Sequence, residues 1–261
     1  MKTKTIIFLI VLISLTGYAQ SDSETPNFRP TKGNIALELD FLPFSENGPI
    51  DLKSFQARYF FSPQLALRAG FNFDRVKKDD EIPRVYRIDG NDIMKFNKYE
   101  MDYTLWGINA GIAWHFFKNS RVSPYIGIDI GYEAKSAKYN DEVNNYNYNY
   151  PNEGFELVKT EVENGWGIDE MIYDQWGNPV YAFVVNERAY HSFKANLVAG
   201  TNIYIMKHFY AGIELGLGMN TTKYKEVTVE QDGVITLKFP EKKETTFGLN
   251  FNNAIRIGFW F

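Results

Sequence analysis

Hydrophobic and polar residues alternate with a period of two along much of this chain. The clearest segment runs from Trp106 to Phe116, where apolar residues occupy the even positions and Gly, Asn, Ala or His the odd ones. Such alternation indicates a β-strand with one apolar face. Seven other segments share it, at residues 34–41, 55–61, 65–74, 126–133, 193–205, 211–219 and 247–261. Each is about as long as a tilted strand that crosses a bilayer.

The connections between these segments alternate in length. The short ones lie around Pro63, Asn119 and Lys207. Long polar ones span residues 75–101, 136–189 and 222–245, and the first, at 43–53, is shorter. Short periplasmic turns and long extracellular loops are typical of outer-membrane barrels. We therefore expect an all-β fold over residues 33–261: an eight-stranded antiparallel up-and-down transmembrane β-barrel.

Alternation alone does not say which face of the sheet points inward. A soluble, lipocalin-like barrel would bury the apolar residues and expose the polar ones. The glycines favour the membrane alternative, because the eleven that fall within the strands all lie on the polar face: 70, 107, 111, 127, 131, 200, 212, 216, 218, 248 and 258. Strand glycines facing water would only weaken the sheet. In a narrow lumen they make room for long charged neighbours.

Charged residues of both signs occupy the same polar face. The predicted lumenal network comprises Glu38, Asp40, Arg58, Arg68, Asp74, Asp129, Glu133, Lys194, Glu214 and Arg256. Buried charges are tolerated when they are paired, and each sign has candidate partners here. The sequence therefore predicts a charge-paired, largely plugged lumen.

Composition is consistent with this arrangement. Mean hydropathy is −0.33, a value shared with soluble proteins, but transmembrane strands alternate and average to similar values. Aromatic residues make up 16%, with 17 Tyr and 21 Phe, and they cluster near both ends of the predicted strands. Two aromatic bands are typical of a membrane-interface girdle. The net charge of −4 gives no reason to expect a nucleic-acid partner.

The first residues have the pattern of an export signal. Lys2 and Lys4 precede an apolar run from Ile6 to Leu15, and the small residues Gly17 and Ala19 follow. This order predicts a signal peptide at residues 1–19. Residues 20–32 are polar and lack periodicity, so we expect a flexible periplasmic leader. The absence of cysteine excludes a disulfide framework and a lipoprotein anchor.

The last segment, from Ile255 to Phe261, is similar to the terminal signal that the barrel assembly machinery recognises, with Phe259 and Phe261 as its aromatics. With the strand pattern, the chain resembles small OmpA/OmpX-type outer-membrane barrel proteins, and Tyr18 to Gln20 look like the signal ends of Bacteroidetes. The resemblance implies a multi-pass protein of the Gram-negative outer membrane, in contact with outer-membrane lipid. It implies little about activity, because this fold hosts several functions.

Catalytic chemistry has few candidates. Barrel enzymes of this size use a His with Ser or carboxylate partners, and the chain has only His115, His191 and His208. His191 and Ser192 are adjacent on a strand, so their side chains point to opposite faces and cannot form a dyad with each other. No His/Cys cluster or Gly-rich loop suggests a metal or phosphate site. We therefore expect no enzyme, cofactor or metal.

The connection at 136–189 is the richest candidate surface. Its Tyr/Asn tract contributes Tyr146, Tyr148 and Tyr150, and Trp176 lies in a turn predicted at 176–179. Tyr and Asn suit adaptable surface contacts. Residues 155–162 and 180–187 alternate enough to extend the fifth and sixth strands above the membrane, although a disordered tip is an alternative.

The favoured function is non-enzymatic. It is an envelope barrel with a plugged lumen and extracellular loops that contact a surface or an extracellular or envelope protein. Two alternatives stay open: a narrow porin-like channel for ions or small solutes, and an accessory barrel of a secretion system, as PorT-like barrels suggest.

Overall fold

The computed structural model describes residues 28–45, 48–117, 120–147, 154–173 and 179–261, with side chains described in these ranges except at 41–53, 168–183 and 250–254. The predicted signal peptide and residues 20–27 lie outside the described residues. Within the described part the fold is all-β and antiparallel, as the alternation predicts. No helix there could span a bilayer.

The described residues form thirteen strands. They are β1 (Ile35–Ser45), β2 (Gly48–Phe60), β3 (Leu65–Ile88), β4 (Asn91–His115), β5 (Val122–Asn147), β6 (Gly154–Glu163), β7 (Gly165–Tyr173), β8 (Pro179–Arg188), β9 (Tyr190–Met206), β10 (Phe209–Tyr224), β11 (Val227–Gln231), β12 (Val234–Phe239) and β13 (Lys242–Trp260). Each of the eight predicted segments falls on a different strand of this set.

Eight strands pair in a cycle, which we call the ring: β1, β2, β3, β4, β5, β9, β10 and β13, with β13 paired again to β1. The ring gives the fold a barrel-like character. From Glu38, each residue can be followed to its pairing partner on the next strand, from β2 around the ring to β13, and this path ends at Thr246. The direct β13 partner of Glu38 is instead Gly258, so the path does not close on itself. The strands are therefore staggered, which requires them to tilt.

Short connections lie at one end of the ring. Between β2 and β3, the hydroxyl of Ser62 accepts a hydrogen bond from the backbone N–H of Leu65, 3.1 Å away. Between β9 and β10, His208 has a φ of 71°, the left-handed conformation that a tight turn requires. The predicted short turn around Asn119 includes residues 118–119, which lie outside the described residues.

The prediction of long loops at residues 75–101 and 222–245 is wrong, because both segments are mostly strands. β3 and β4 continue as one hairpin to a turn at Asp89-Gly90. In the other segment, β11 and β12 form a hairpin with a turn at Asp232-Gly233. Much of these strands is solvated on both faces, so their side chains need not alternate between polar and apolar.

The segment at 136–189 is also mostly strand. β5 itself continues to Asn147, and residues 155–162 belong to β6, a separate strand that pairs with this continuation, so they do not extend the fifth ring strand themselves as predicted. Residues 180–187 belong to β8, which pairs with β7, so their predicted role as an extension of the sixth ring strand is wrong. In the predicted first loop, β1 reaches Ser45 and β2 begins at Gly48.

These outer elements form a second region, which we call the extension: β6, β7, β8, β11 and β12 with residues 75–104 and 136–147. It has a hydrophobic cluster of its own, formed by Tyr139, Val162, Val227 and Val229. Trp166 of β7 and Val185 of β8 pack against this cluster. The ring's hydrophobic cluster is Ala36, Phe60, Ala66, Tyr204, Tyr210 and Trp260.

Candidate functional site: the interior of the ring

The ring exposes its apolar face and buries its polar one. Ile128 of β5 is 60% exposed and Leu197 of β9 is 57% exposed, although both lie mid-strand. Glu38, Arg58 and Arg256, on the opposite face of their strands, are buried. The structure thus has the opposite polarity to a soluble barrel, which would bury the apolar face.

Three carboxylate–guanidinium pairs form the centre of the interior. Glu38 lies 3.0 Å from Arg58, Asp40 lies 2.9 Å from Arg256, and Glu214 lies 2.8 Å from Arg68. Arg256 also reaches Glu214 at 3.1 Å, so the last two pairs are joined. Asp129, on β5, shares Arg68 at 3.2 Å. The network therefore joins side chains from six ring strands.

Tyr125 lies at the middle of this network. Its hydroxyl donates a hydrogen bond to Glu214 at 2.6 Å. It accepts hydrogen bonds from Arg256 at 2.9 Å and from Arg58 at 3.2 Å. On the other side, the hydroxyl of Tyr210 donates to Glu38. These contacts supply partners to guanidinium and carboxylate groups whose burial would otherwise be unfavourable, although Nη1 of Arg58 has no hydrogen-bond partner in the described structure.

Tyr125 and Tyr210 are absent from the network predicted from the sequence. The predicted fifth segment begins at residue 126. One step back, Tyr125 shares the face of Gly127 and Asp129, so the pattern could have located it.

The charged residues predicted to line the lumen do not all belong to this central network. Glu133 and Lys194 form a separate pair at 2.7 Å nearer the extension, and Tyr190 donates a hydrogen bond to Glu133. Asp74 is exposed, so its predicted place in the lumen is wrong. The described pairing of β2 with β3 ends at Phe71, and Asp74 therefore lies beyond the level at which both neighbours enclose β3.

Most glycines on the inner face lie beneath a polar side chain of a neighbouring strand. A Cβ on Gly111 would meet the Asp129 carboxylate at 1.9 Å, and one on Gly258 would meet the Tyr210 ring at 2.2 Å. Asparagines cover Gly70, Gly107, Gly212 and Gly218. The glycines do make room, as predicted, but chiefly for amides and tyrosines rather than for long charged groups.

The short-turn end of the ring is closed by the segment before β1. Arg29 is 2% exposed and donates hydrogen bonds to the carbonyls of Pro63 and Phe117. Trp260 donates from its indole to the carbonyl of Phe28 at 3.2 Å. Residues 28–32 of the predicted flexible leader therefore include an anchored part. Their sequence lacks periodicity, so no pattern could locate these contacts.

The opposite half of the interior holds a cavity of about 390 Å³. Its wall includes Asp40, Gln56, Arg68, Asp129, Lys194 and Glu214, with several asparagines among them. The interior is thus filled at the short-turn end and hollow toward the extension.

The histidines are dispersed. His115 is fully buried and its Nδ1 lies 2.8 Å from the hydroxyl of Ser123, a contact that sequence reasoning missed. His191 is exposed and contacts Tyr132 at 2.6 Å, whereas Ser192 is buried against Asn220 and Thr222. His191 and Ser192 thus point apart, as expected for neighbours on a strand. The described residues contain no cluster of three metal-ligating side chains.

The remaining candidate residues lie away from the interior. Phe259 and Phe261 are exposed at the short-turn end, at 52% and 56%. Tyr146 is half-buried and packs edge-on against Phe155, with ring centroids 5.1 Å apart. Tyr148, Tyr150 and Trp176 lie outside the described residues.

Comparison with known proteins assigns no family. No protein-family model matches the chain, and no curated protein matches its sequence.

Proposed function

We propose that the chain is a non-enzymatic integral protein of the Gram-negative outer membrane, and that the ring is an eight-stranded transmembrane β-barrel of the OmpA/OmpX type. The inverted polarity of the ring carries the proposal. Charges that would be solvated in water are buried, and aliphatic side chains such as Ile112, Ile128 and Leu197 are more than half exposed. Hydrocarbon is the solvent that suits such a surface, and a closed ring leaves no strand edge unpaired in it.

Aromatic side chains support the same proposal. Phe73, Trp106, Phe193 and Phe247 are exposed toward the extension, and Tyr59, Phe61, Phe116 and Phe259 are exposed toward the short turns. Two aromatic bands around an aliphatic waist match the two interfaces of a bilayer. In this orientation the short turns face the periplasm and the extension faces outward.

We favour a closed lumen over the porin-like alternative. The interior at the short-turn end is occupied by three guanidinium groups, Tyr125 and Tyr210, and the Phe28–Arg29 segment lies beneath them. In planar bilayers the protein should give no unit currents. Stable, reproducible unit currents would favour the narrow channel instead.

The extension is the part we propose for contact with a surface or an envelope protein. On the β3–β4 hairpin, Val85 pairs with Met94 and Pro83 with Phe96, so the four residues share one face. Val85, Met94 and Phe96 are each more than half exposed. An exposed apolar strip on a solvated hairpin is a common feature of interaction surfaces. Val85→Lys with Phe96→Lys should abolish partner retention while the barrel still folds.

The location is tested by fractionating cells that express the full chain and comparing its gel mobility before and after boiling. A closed transmembrane barrel resists SDS until heated, so we expect an outer-membrane band that migrates faster unboiled. A single heat-insensitive band in the soluble periplasmic fraction would overturn the proposal.

A further inference from the structure

Two of the strand pairings that close the ring, which we call seams, are short. In the described structure β1 pairs with β13 over residues 36–41, and β2 pairs with β3 over residues 55–60. By comparison, β3 stays paired with β4 over residues 65–88. The β1–β2 hairpin lies between the two short seams, and a single hairpin has little stability of its own. By backbone pairing it is the part of the ring that its neighbours hold least.

The segment before β1, which we call the strap (residues 28–34), contacts both short seams at the short-turn end. The guanidinium of Arg29 donates a hydrogen bond to the carbonyl of Pro63, in the β2–β3 turn, at 3.0 Å. The indole of Trp260, the last residue of β13, donates to the carbonyl of Phe28 at 3.2 Å. The strap therefore joins the turn beside one seam to the strand that ends at the other.

Burial and charge hold the strap in place. Arg29 is 2% exposed, and its guanidinium also donates to the carbonyl of Phe117, just beyond β4. The phenyl group of Phe28 packs against the ring's hydrophobic cluster, and the guanidinium carbon of Arg121 lies 4.1 Å from its centre. Hydrogen bonds from a charged donor are stronger than neutral ones, so Arg29 is the main attachment of the strap.

The strap leads directly into the first backbone hydrogen bonds of the ring. The side-chain oxygen of Asn34 accepts a hydrogen bond from the N–H of Thr31 at 2.6 Å, which closes a turn before β1. The carbonyl of Asn34 then accepts from the N–H of Phe60 at 3.0 Å. Next to it, Ile35 and Phe261 exchange two backbone hydrogen bonds. The amides of Ile35, Phe60 and Phe261 should therefore report whether the strap is docked.

We propose that the strap controls closure of the ring. While it is docked, the short-turn end of the β1–β2 hairpin stays paired with β3 and β13; when it is released, both seams open from that end. Asp40, Ser54 and Gln56 of this hairpin line the interior cavity, so the strap also holds part of the cavity wall. This role goes beyond the proposed envelope function and does not depend on it.

The test is hydrogen–deuterium exchange of the full chain, folded in a zwitterionic detergent, with and without the substitution Arg29→Ala. Loss of the charged hydrogen bonds should speed exchange of the Ile35, Phe60 and Phe261 amides about tenfold to a hundredfold. Amides on the β5–β9 seam should exchange at unchanged rates. Unchanged exchange at the three amides, or equal acceleration on the β5–β9 seam, would overturn the proposal.

Lys207→Ala is the matched control. Lys207 is an exposed cation at the same end of the ring, in the β9–β10 turn. Its removal should leave exchange at the three amides unchanged. An effect as large as that of Arg29→Ala would mean that loss of positive charge, and not release of the strap, governs exchange, and would contradict the assignment.

A disulfide across the β1–β13 seam separates opening of that seam from a general loss of stability. The chain has no cysteine, and Leu37 pairs directly with Phe259, so Leu37→Cys with Phe259→Cys can form one defined disulfide. In the Arg29→Ala background the oxidised form should return the Ile35 and Phe261 amides to slow exchange, and reduction should reverse this. Fast exchange in the oxidised form would count against the proposal.

Phe28→Ala keeps the test decisive if Arg29→Ala does not fold. It removes the phenyl group that packs on the hydrophobic cluster but leaves the carbonyl that Trp260 contacts. Exchange of the same three amides should again accelerate, while the β5–β9 seam stays protected. If their exchange is unchanged in this variant, the strap does not control closure.

Discussion

The ring and the extension are built from the same antiparallel strands but have opposite polarity. In the ring, the fully buried side chains include Glu38, Arg58 and Arg256, and aliphatic side chains cover the outside. In the extension, Val162 and Val227 are fully buried, and lysine–carboxylate pairs cover much of the surface. Period-two alternation therefore sets two faces, and the two regions enclose opposite ones.

The largest difference between the regions should concern ion pairs. Arg58→Met removes the nearest guanidinium from Glu38, which keeps only Arg256 at 3.5 Å and the hydroxyl of Tyr210. Because the side chains of Arg58 and Glu38 are fully buried, we expect a loss of about 3–5 kcal/mol in the free energy of unfolding. Arg75→Met breaks an exposed pair with Asp102 in the extension and should cost about 0–1 kcal/mol. Urea unfolding of protein folded into lipid vesicles measures both. Equal losses of unfolding free energy in the two variants would contradict a difference between buried and exposed ion pairs.

The outer surfaces should respond differently to charge. Ile128→Arg puts a guanidinium at the middle of the exposed apolar belt. In the proposed transmembrane barrel this belt contacts hydrocarbon, so the substitution should cost about 2–4 kcal/mol in vesicles. The control is Val234→Arg, at a similarly exposed valine of the extension, where the change should stay within about 0.5 kcal/mol. If Ile128→Arg were as mild as the control, the belt would face water.

Close packing inside the ring can be tested on β13 alone. Gly258→Ala forces a Cβ against the buried Tyr210 ring and should cost about 1–3 kcal/mol. Gly248→Ala, on the same face of β13, meets no atom within 4 Å and should cause no loss. The same vesicle assay compares them. A harmless Gly258→Ala would show that Tyr210 can move aside.

The smallest effect should be confined to the extension. Val162→Ala removes two buried methyl groups from its hydrophobic cluster and should destabilise it by about 1–2 kcal/mol. Limited proteolysis should then cut the extension faster, while the ring still gives a heat-modifiable band. Val234→Ala, at an exposed position, serves as control. Loss of the heat-modifiable band in Val162→Ala would mean that the two regions unfold together.

Alternation predicts strands best where one face of a strand is enclosed and the other is apolar. The predicted segment from Trp106 to Phe116 ends within one residue of the end of β4 at His115, because β4 has that contrast there, although β4 itself begins at Asn91. It failed at residues 75–101, where the hairpin is solvated and the contrast disappears. The place of Asp74 was predicted wrongly for a related reason: alternation does not record where a neighbouring strand begins or ends. Arg29 lies in a segment without alternation, so no pattern locates its contacts.

Alternation by itself determined the all-β class, the eight ring strands and which side chains share a face, because a strand's side chains must point to opposite sides. It also placed the paired charges on one common face. Only the tertiary structure decided that this face is enclosed, that β5 pairs with β9 to complete the ring, and that the polar connections fold into a second region. All three features depend on which strands pair and in which register. Strand pairing joins residues that are far apart in the chain, and the local alternation of side chains carries no information about such contacts.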